Sequence, residues 1–131
     1  MTNSQLVEQF LAGLSEGTVD DALLSDDMVF WSVNSGQSEK ARFKQGIALL
    51  AQVANNSIVY HLDSLIVDGD RLVAEVSSEG TLIDGSSLEN QHVFLFTLRQ
   101  GRIAEVREFM NQYVVAEKVA PLMQKLMSQQ S

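Results

Sequence analysis

The chain has 131 residues, 45% hydrophobic and 20% charged, the size and balance of one globular domain spanning residues 1–131. A formal charge of −8, with the nine Lys and Arg residues scattered, argues against nucleic acid and anionic membrane surfaces as partners, since both need clustered cations. The absence of cysteine removes disulfides, thiolate chemistry and cysteine-ligated metals, and is compatible with a reducing cytoplasm.

The start, MTNSQLVEQFLAGL, lacks the basic residues and unbroken apolar run of a signal peptide. No stretch approaches the roughly 20 apolar residues that span a bilayer. A soluble, cytoplasmic protein is expected.

In chain order, Leu6, Val7, Phe10, Leu11 and Leu14 form a helical stripe over residues 4–15, ended by Gly17. Thr18 is expected to start a short second helix that buries Ala22, Leu23 and Leu24, with Asp26-Asp27 closing it. MVFWSV then reads as a strand and Asn34-Ser35-Gly36 as a turn. Ser38 is the expected N-cap of a third helix with Phe43, Ile47, Leu50 and Ala54 on one face, ended by Asn55-Asn56.

Four strands follow, Ile58–Val67, Leu72–Leu82, Ser87–Leu98 and Arg102–Met110, joined at Asp68-Gly69-Asp70, Asp84-Gly85 and Gln100-Gly101. The tail from Gln112 to Met127 is helical by Val115, Val119, Leu122 and Leu126, with Pro121 kinking or restarting it. The order α-α-β-α-β-β-β-β-α predicts an α+β fold. A strongly bent antiparallel sheet, wrapped by the N-terminal helices and followed by a C-terminal helix, would enclose a cone-shaped cavity.

Three-residue loops at the last two hairpins predict the pairs Ser78–Asn90 and Val76–His92, then Phe94–Val106 and His92–Glu108; a weaker step pairs Tyr60 with Ser78. One face then carries Leu72, Ala74, Val76, Phe94, Phe96, Ala104 and Val106, with Tyr60, Ser78, Asn90, His92 and Glu108 at one end. The other carries Glu75, Ser77, Glu79, Glu89, Gln91, Glu105 and Arg107. A one-residue slip would bury those charges, so the first face is taken as inward.

The segments VEQFLAGLSEGTVDDALLSDDMVFW, VDGDRLVAEVSSEGTLIDG and ENQHVFLFTLRQGRIAEVREFMN, in this order, make the whole chain resemble SnoaL-like members of the nuclear transport factor 2-like superfamily. That group includes ketosteroid isomerases and limonene epoxide hydrolase. The resemblance implies a cone-shaped fold and a homodimer through the outer sheet face. It places Ser32 where the isomerases carry an Asp base, and Phe30, Ser32, Val76 and Ser78 where the epoxide hydrolases carry their polar quartet. Glu108 matches the last-strand acid of the hydrolases, and Asn111 stands where the family often has Asp.

His92 and Glu108 are the candidate catalytic pair, because a carboxylate beside an imidazole orients the ring and favours its protonated form. The alternative, which buried polar groups meet more often, is a mutually satisfied pair that seals the cavity floor. Tyr60 and Asn90 could fix a ligand carbonyl or hydroxyl, or bond each other and Ser78. Phe30, Trp31, Ser32, Val76 and Phe94 complete the expected ligand contacts, although strand parity points Trp31 away from Phe30 and Ser32. Met123 and Met127 serve packing or close the cavity mouth. His61 falls on the outward face, so no metal site is expected, and no cofactor is implied. No Gly-rich phosphate loop, nucleophile elbow or Ser-His-Asp order is evident.

The first functional expectation is binding of a small apolar or aromatic molecule. The second is a cofactor-independent isomerase, dehydratase or hydrolase using His92 and Glu108. The third is an interaction module with a vestigial pocket.

Overall fold

Helix α1 (Asn3–Glu16) starts where two backbone donors find side-chain acceptors. Gln5 N–H donates to Thr2 Oγ1 at 3.0 Å, and Thr2 N–H donates to Gln5 Oε1 at 2.8 Å, a reciprocal cap. The helix ends at Gly17, whose φ of 80° is one that a residue with a Cβ rarely adopts. All five residues of the expected stripe are buried. The computed structural model describes residues 1–130.

The expected second helix is a single 3-10 turn, Asp21–Leu23. Asp20 accepts from Ala22 N–H at 2.9 Å, which satisfies a tight turn without committing the chain to a longer helix. Ala22 is exposed, and Asp26 and Asp27 lie inside β1 (Leu24–Ser32). A short strand, β2 (Gly36–Glu39), pairs back onto β1 with Ser32 opposite Gly36. Ser38 therefore sits in this strand, and Glu39 holds the N-cap position of α2 (Lys40–Val53). Asn55 and Asn56 end α2 with φ of 51° and 56°, the left-handed values Asn tolerates best.

Then come β3 (Val59–Asp68), β4 (Arg71–Thr81), β5 (Ser87–Arg99) and β6 (Arg102–Met110). The C-terminal helix is α3 (Gln112–Val114), a wide π turn (Val115–Val119) and α4 (Ala120–Gln130). Ala120 N–H reaches back to Val115 O, and Pro121 follows at the restart, where its missing donor costs least. The six strands run in the order β2-β1-β6-β5-β4-β3. This is the expected α+β architecture, with one pair, β1 and β6, running parallel.

Tyr60 faces Ser78 as expected, but through a two-residue turn that sets Asp68 opposite Arg71 and a bulge between Leu62 and Ser64. The β4–β5 register matches expectation, with Ser78 facing Asn90 and Val76 facing His92. The β5–β6 register does not. Gln100 and Gly101 have φ of 53° and 76° and form a two-residue turn, so Arg99 faces Arg102. A bulge then adds Ala104 between the pairs Leu98–Ile103 and Thr97–Glu105. Beyond it Phe96 faces Val106, Phe94 faces Glu108 and His92 faces Met110.

The turn and the bulge each shift the register by one residue, and together they restore the parity. Val106 still points inward, while Ile103, fully buried, takes the core place expected of Ala104.

Two cores result. The larger joins α1 and α2 to the sheet around Phe10, whose ring meets Phe43, Phe94 and Phe96 at centroid distances of 6.0, 6.1 and 5.3 Å. The smaller joins Val53, Ala54, Ile58, Leu82 and Leu88 to Val119, and docks the C-terminal helix. Among the described residues, no helix is long and apolar enough to cross a membrane.

Candidate functional site

Between the helices and the inner sheet face lies a cavity of about 480 Å³. Its apolar wall comes from Phe30 on β1, Phe43 and Ile47 on α2, and Val115, Val119 and Met123 of the C-terminal segment. Its polar end carries Tyr60, Ser78, Asn90, His92 and Glu108. Inward parity on β3, β4, β5 and β6 puts those five together, as the alternation of the strands predicts.

His92 and Glu108 are not directly opposite, because Glu108 faces Phe94 across the ladder. Their side chains meet on the diagonal, with His92 Nδ1 2.7 Å from Glu108 Oε2. The other ring nitrogen, Nε2, lies 2.8 Å from Ser78 Oγ. A carboxylate can only accept, so Nδ1 carries the proton it gives to Glu108. In the neutral ring Nε2 is then an acceptor, and the Ser78 hydroxyl donates to it. Phe94 and Tyr60 flank the imidazole at centroid distances of 5.6 and 5.5 Å, which limits its rotation. The chain Ser78–His92–Glu108 is thereby fixed in direction.

Burial, and then the negative charge of Glu108, push the Tyr60 phenol well above its ordinary value of 10.0. Tyr60 thus stays a donor, and among the described residues its hydroxyl has no hydrogen-bond partner. The unfolded chain ionises near pH 10 while the folded one does not. The stability contribution is therefore complete below pH 10 and is lost as pH rises from there toward the folded-state value. In a Tyr113→Phe variant, which leaves Tyr60 as the sole tyrosine, absorbance at the phenolate band should rise only where circular dichroism shows unfolding. A reversible rise near pH 10 in the folded protein would contradict this environment.

The other expected contacts divide. Phe30 lines the cavity, 4.7 Å from the Phe43 ring centroid. Ser32 lines it too, but its Oγ accepts from Asn34 N–H at 3.1 Å and Ser35 N–H at 3.0 Å, so it holds the β1–β2 turn. Asn90 accepts at Oδ1 from Asn111 N–H at 3.3 Å and donates from Nδ2 to Asn111 O at 3.4 Å, fastening the entry to α3.

Trp31, Val76 and Phe94 do not line the cavity. Val76 and Phe94 are deeper, inside the larger core. Trp31 is on the outer face, where its ring meets Phe109 at 5.1 Å and lies 4.5 Å from the Arg107 guanidinium, as its parity indicated. His61 is outward as expected, 3.0 Å from Glu79.

Sequence reading missed Met110, which shares the inward parity of Val106 and Glu108, and Arg42, Gln45 and Leu49 from α2. It also missed the bond from Ser78 to His92, which joins the expected His92–Glu108 pair into a line of three. Among the described residues, no three His, Asp or Glu side chains form a cluster that could hold a metal ion.

Comparison with solved structures shows the fold. A protein from Jannaschia sp. CCS1 named as a SnoaL-like polyketide cyclase is 17% identical, with 90% of this chain and 91% of that one covered and a TM-score of 0.77. A Bacillus subtilis protein named as an isomerase is 20% identical, with 88% and 90% covered and a TM-score of 0.72. TerC, co-crystallised with polyporic acid, is 17% identical, with 88% and 96% covered and a TM-score of 0.74. No curated protein matches the chain by sequence. The SnoaL-like domain model matches residues 7–106, most of the chain and most of the elements that build the cavity, and the chain belongs to that family.

Proposed function

We propose that the chain binds a small, mainly apolar or aromatic molecule in the cavity, and orients it through Tyr60, Ser78 and Glu108. The observation that carries this reading is a largely apolar wall closed at one end by polar groups with hydrogen-bonding capacity to spare. The Tyr60 hydroxyl and Glu108 Oε1 have no protein partner among the described residues. A donor and an acceptor without protein partners at the polar end of an apolar cavity favour a ligand that supplies their counterparts. The co-crystal of TerC with polyporic acid supports the same reading by analogy of fold. In this reading the protein is cytoplasmic, and a second copy pairs through the outer sheet face that carries Trp31 and Phe109.

The second reading is an enzyme, favoured by the contact between His92 and Glu108. Both ring nitrogens are engaged, so Glu108 Oε1 is the free base of the pair and His92 holds it in place. Cofactor-independent isomerase or dehydratase chemistry would use that oxygen to move a proton, with Tyr60 as the hydrogen-bond donor to the developing negative charge.

A thermal-shift screen with steroid-like, terpenoid and aromatic acid ligands, 2-naphthylacetate among them, tests the binding reading. A ligand that binds only the folded state must raise its melting temperature. Tyr60→Phe should weaken the best ligand by about five- to tenfold, the worth of one buried hydrogen bond. No shift with any ligand would leave the cavity vestigial and favour an interaction module. Turnover that follows a bell-shaped pH profile and disappears in Glu108→Gln would favour the enzyme.

A further inference from the structure

From the geometry at the polar end of the cavity we infer a nucleophilic serine: Ser78, activated by His92 and Glu108, accepts an acyl group from a small apolar ester. This rests on the cavity of the preceding section and adds a reaction to it.

The parts of such a site are a hydroxyl, a base hydrogen-bonded to it, a group that orients the base, and a donor for the oxyanion. Ser78 Oγ is 2.8 Å from His92 Nε2, and His92 Nδ1 is 2.7 Å from Glu108 Oε2. These are hydrogen-bond distances at both links, in the order needed to draw a proton from serine onto imidazole. Glu108 fixes the tautomer, so the basic nitrogen faces Ser78. Ser78 and His92 are 6% and 9% exposed, and both line the cavity, so a bound acyl group would displace water from them. Tyr60 is the cross-strand partner of Ser78, lines the same cavity and supplies a protonated hydroxyl without a protein partner, the group assigned to donate to the carbonyl oxygen. Backbone donors cannot serve, because Ser78 lies within β4 between two paired strands.

The step balances without a cofactor. Ser78 Oγ bonds to the carbonyl carbon while its proton moves to His92 Nε2, and the carbonyl electron pair settles on the oxygen facing Tyr60. As the intermediate collapses, the bond to the alcohol oxygen breaks and that oxygen takes the proton from Nε2. Water then repeats the sequence on the acyl-serine: its oxygen bonds to the carbonyl carbon, its proton goes to Nε2, and Ser78 leaves and recovers a proton. An ester and water become an acid and an alcohol.

The test uses the full chain with an alkyl fluorophosphonate, read by intact mass and peptide mapping, and with p-nitrophenyl butyrate, read by p-nitrophenol release. The expected result is one phosphonyl adduct on Ser78, absent in Ser78→Ala and formed at least 100-fold more slowly in His92→Asn. Glu108→Gln, which keeps the shape of the cluster, should slow labelling at least tenfold and covers the case in which His92→Asn fails to fold. Circular dichroism and the melting temperature without ligand report the integrity of each variant. No adduct on Ser78 while 2-naphthylacetate still raises the melting temperature would overturn the nucleophile and leave the binding reading standing. No adduct on Ser78 together with no melting shift from any ligand of the screen would overturn the two together. An adduct on another residue, or labelling of Ser78 at an unchanged rate in both His92→Asn and Glu108→Gln, would also overturn it.

Discussion

Phe10→Ala should lower the unfolding free energy by about 3–5 kcal/mol, the range for a fully buried aromatic truncated to alanine. Phe10 has no exposed surface. Its ring stacks on Phe43 with an interplanar angle of 6° and meets Phe94 and Phe96 nearly edge-on at 77° and 87°. One side chain therefore ties α1 to α2 and to the centre of β5. The surrounding rings are themselves held, Phe43 by Phe30 and Phe94 by Phe96, so they can close little of the void. Urea denaturation should show an earlier midpoint with an unchanged slope. A loss below about 1 kcal/mol would mean that the rings repack, and that the arrangement around Phe10 is looser than described.

Val119→Asp should cost about 3 kcal/mol or more through the smaller core and weaken cavity ligands at least tenfold. Val119 is 5% exposed among Val53, Ala54, Ile58, Leu82 and Leu88, and it also lines the cavity. A carboxylate there has no cation to pair with among those neighbours, so the helix must undock or the carboxyl must stay protonated. The larger core does not include Val119. Hydrogen exchange should therefore accelerate in residues 115–130 while protection persists in β4 and β5. Lowering the pH should restore part of the loss, since the neutral carboxyl costs less to bury. Uniform acceleration across the sheet would show that the two cores unfold as one.

Most of the fold was legible in the chain. Alternation over β4 and β5 gave their pairing because Gly85, with φ of 87°, closes a loop of the expected length. The β5–β6 hairpin was misread because Gln100 joins Gly101 in the left-handed region and Ala104 then forms a bulge, two local choices that apolar alternation does not record. Strand β2 was invisible because Gly36-Gln37-Ser38-Glu39 offers no apolar alternation.

The inward gathering of Tyr60, Ser78, Asn90, His92 and Glu108 followed from parity alone. The contact of His92 with Glu108 was expected too, though across a direct pair rather than the diagonal on which it forms. The bond from Ser78 to His92 was not, because it depends on rotamers as well as register. Trp31 was assigned to the ligand set against its own parity, and its stacking with Phe109 on the outer face shows that parity was the better guide. The wall residues on α2 were missed since a helix's rotational phase about its axis is set by packing, which sequence periodicity fixes only coarsely.

The parallel contact between β1 and β6 constrains how the protein can be made. Ser32 takes its ladder partner from Glu108, a residue that leaves the ribosome only when nearly the whole domain has been translated. During synthesis the N-terminal strand must wait unpaired on that edge, shielded by helices that themselves lack the rest of their sheet. Loop closure over that distance is a cost met late, so the pairing of β1 with β6 should form after, and more slowly than, the hairpins that assemble along the way.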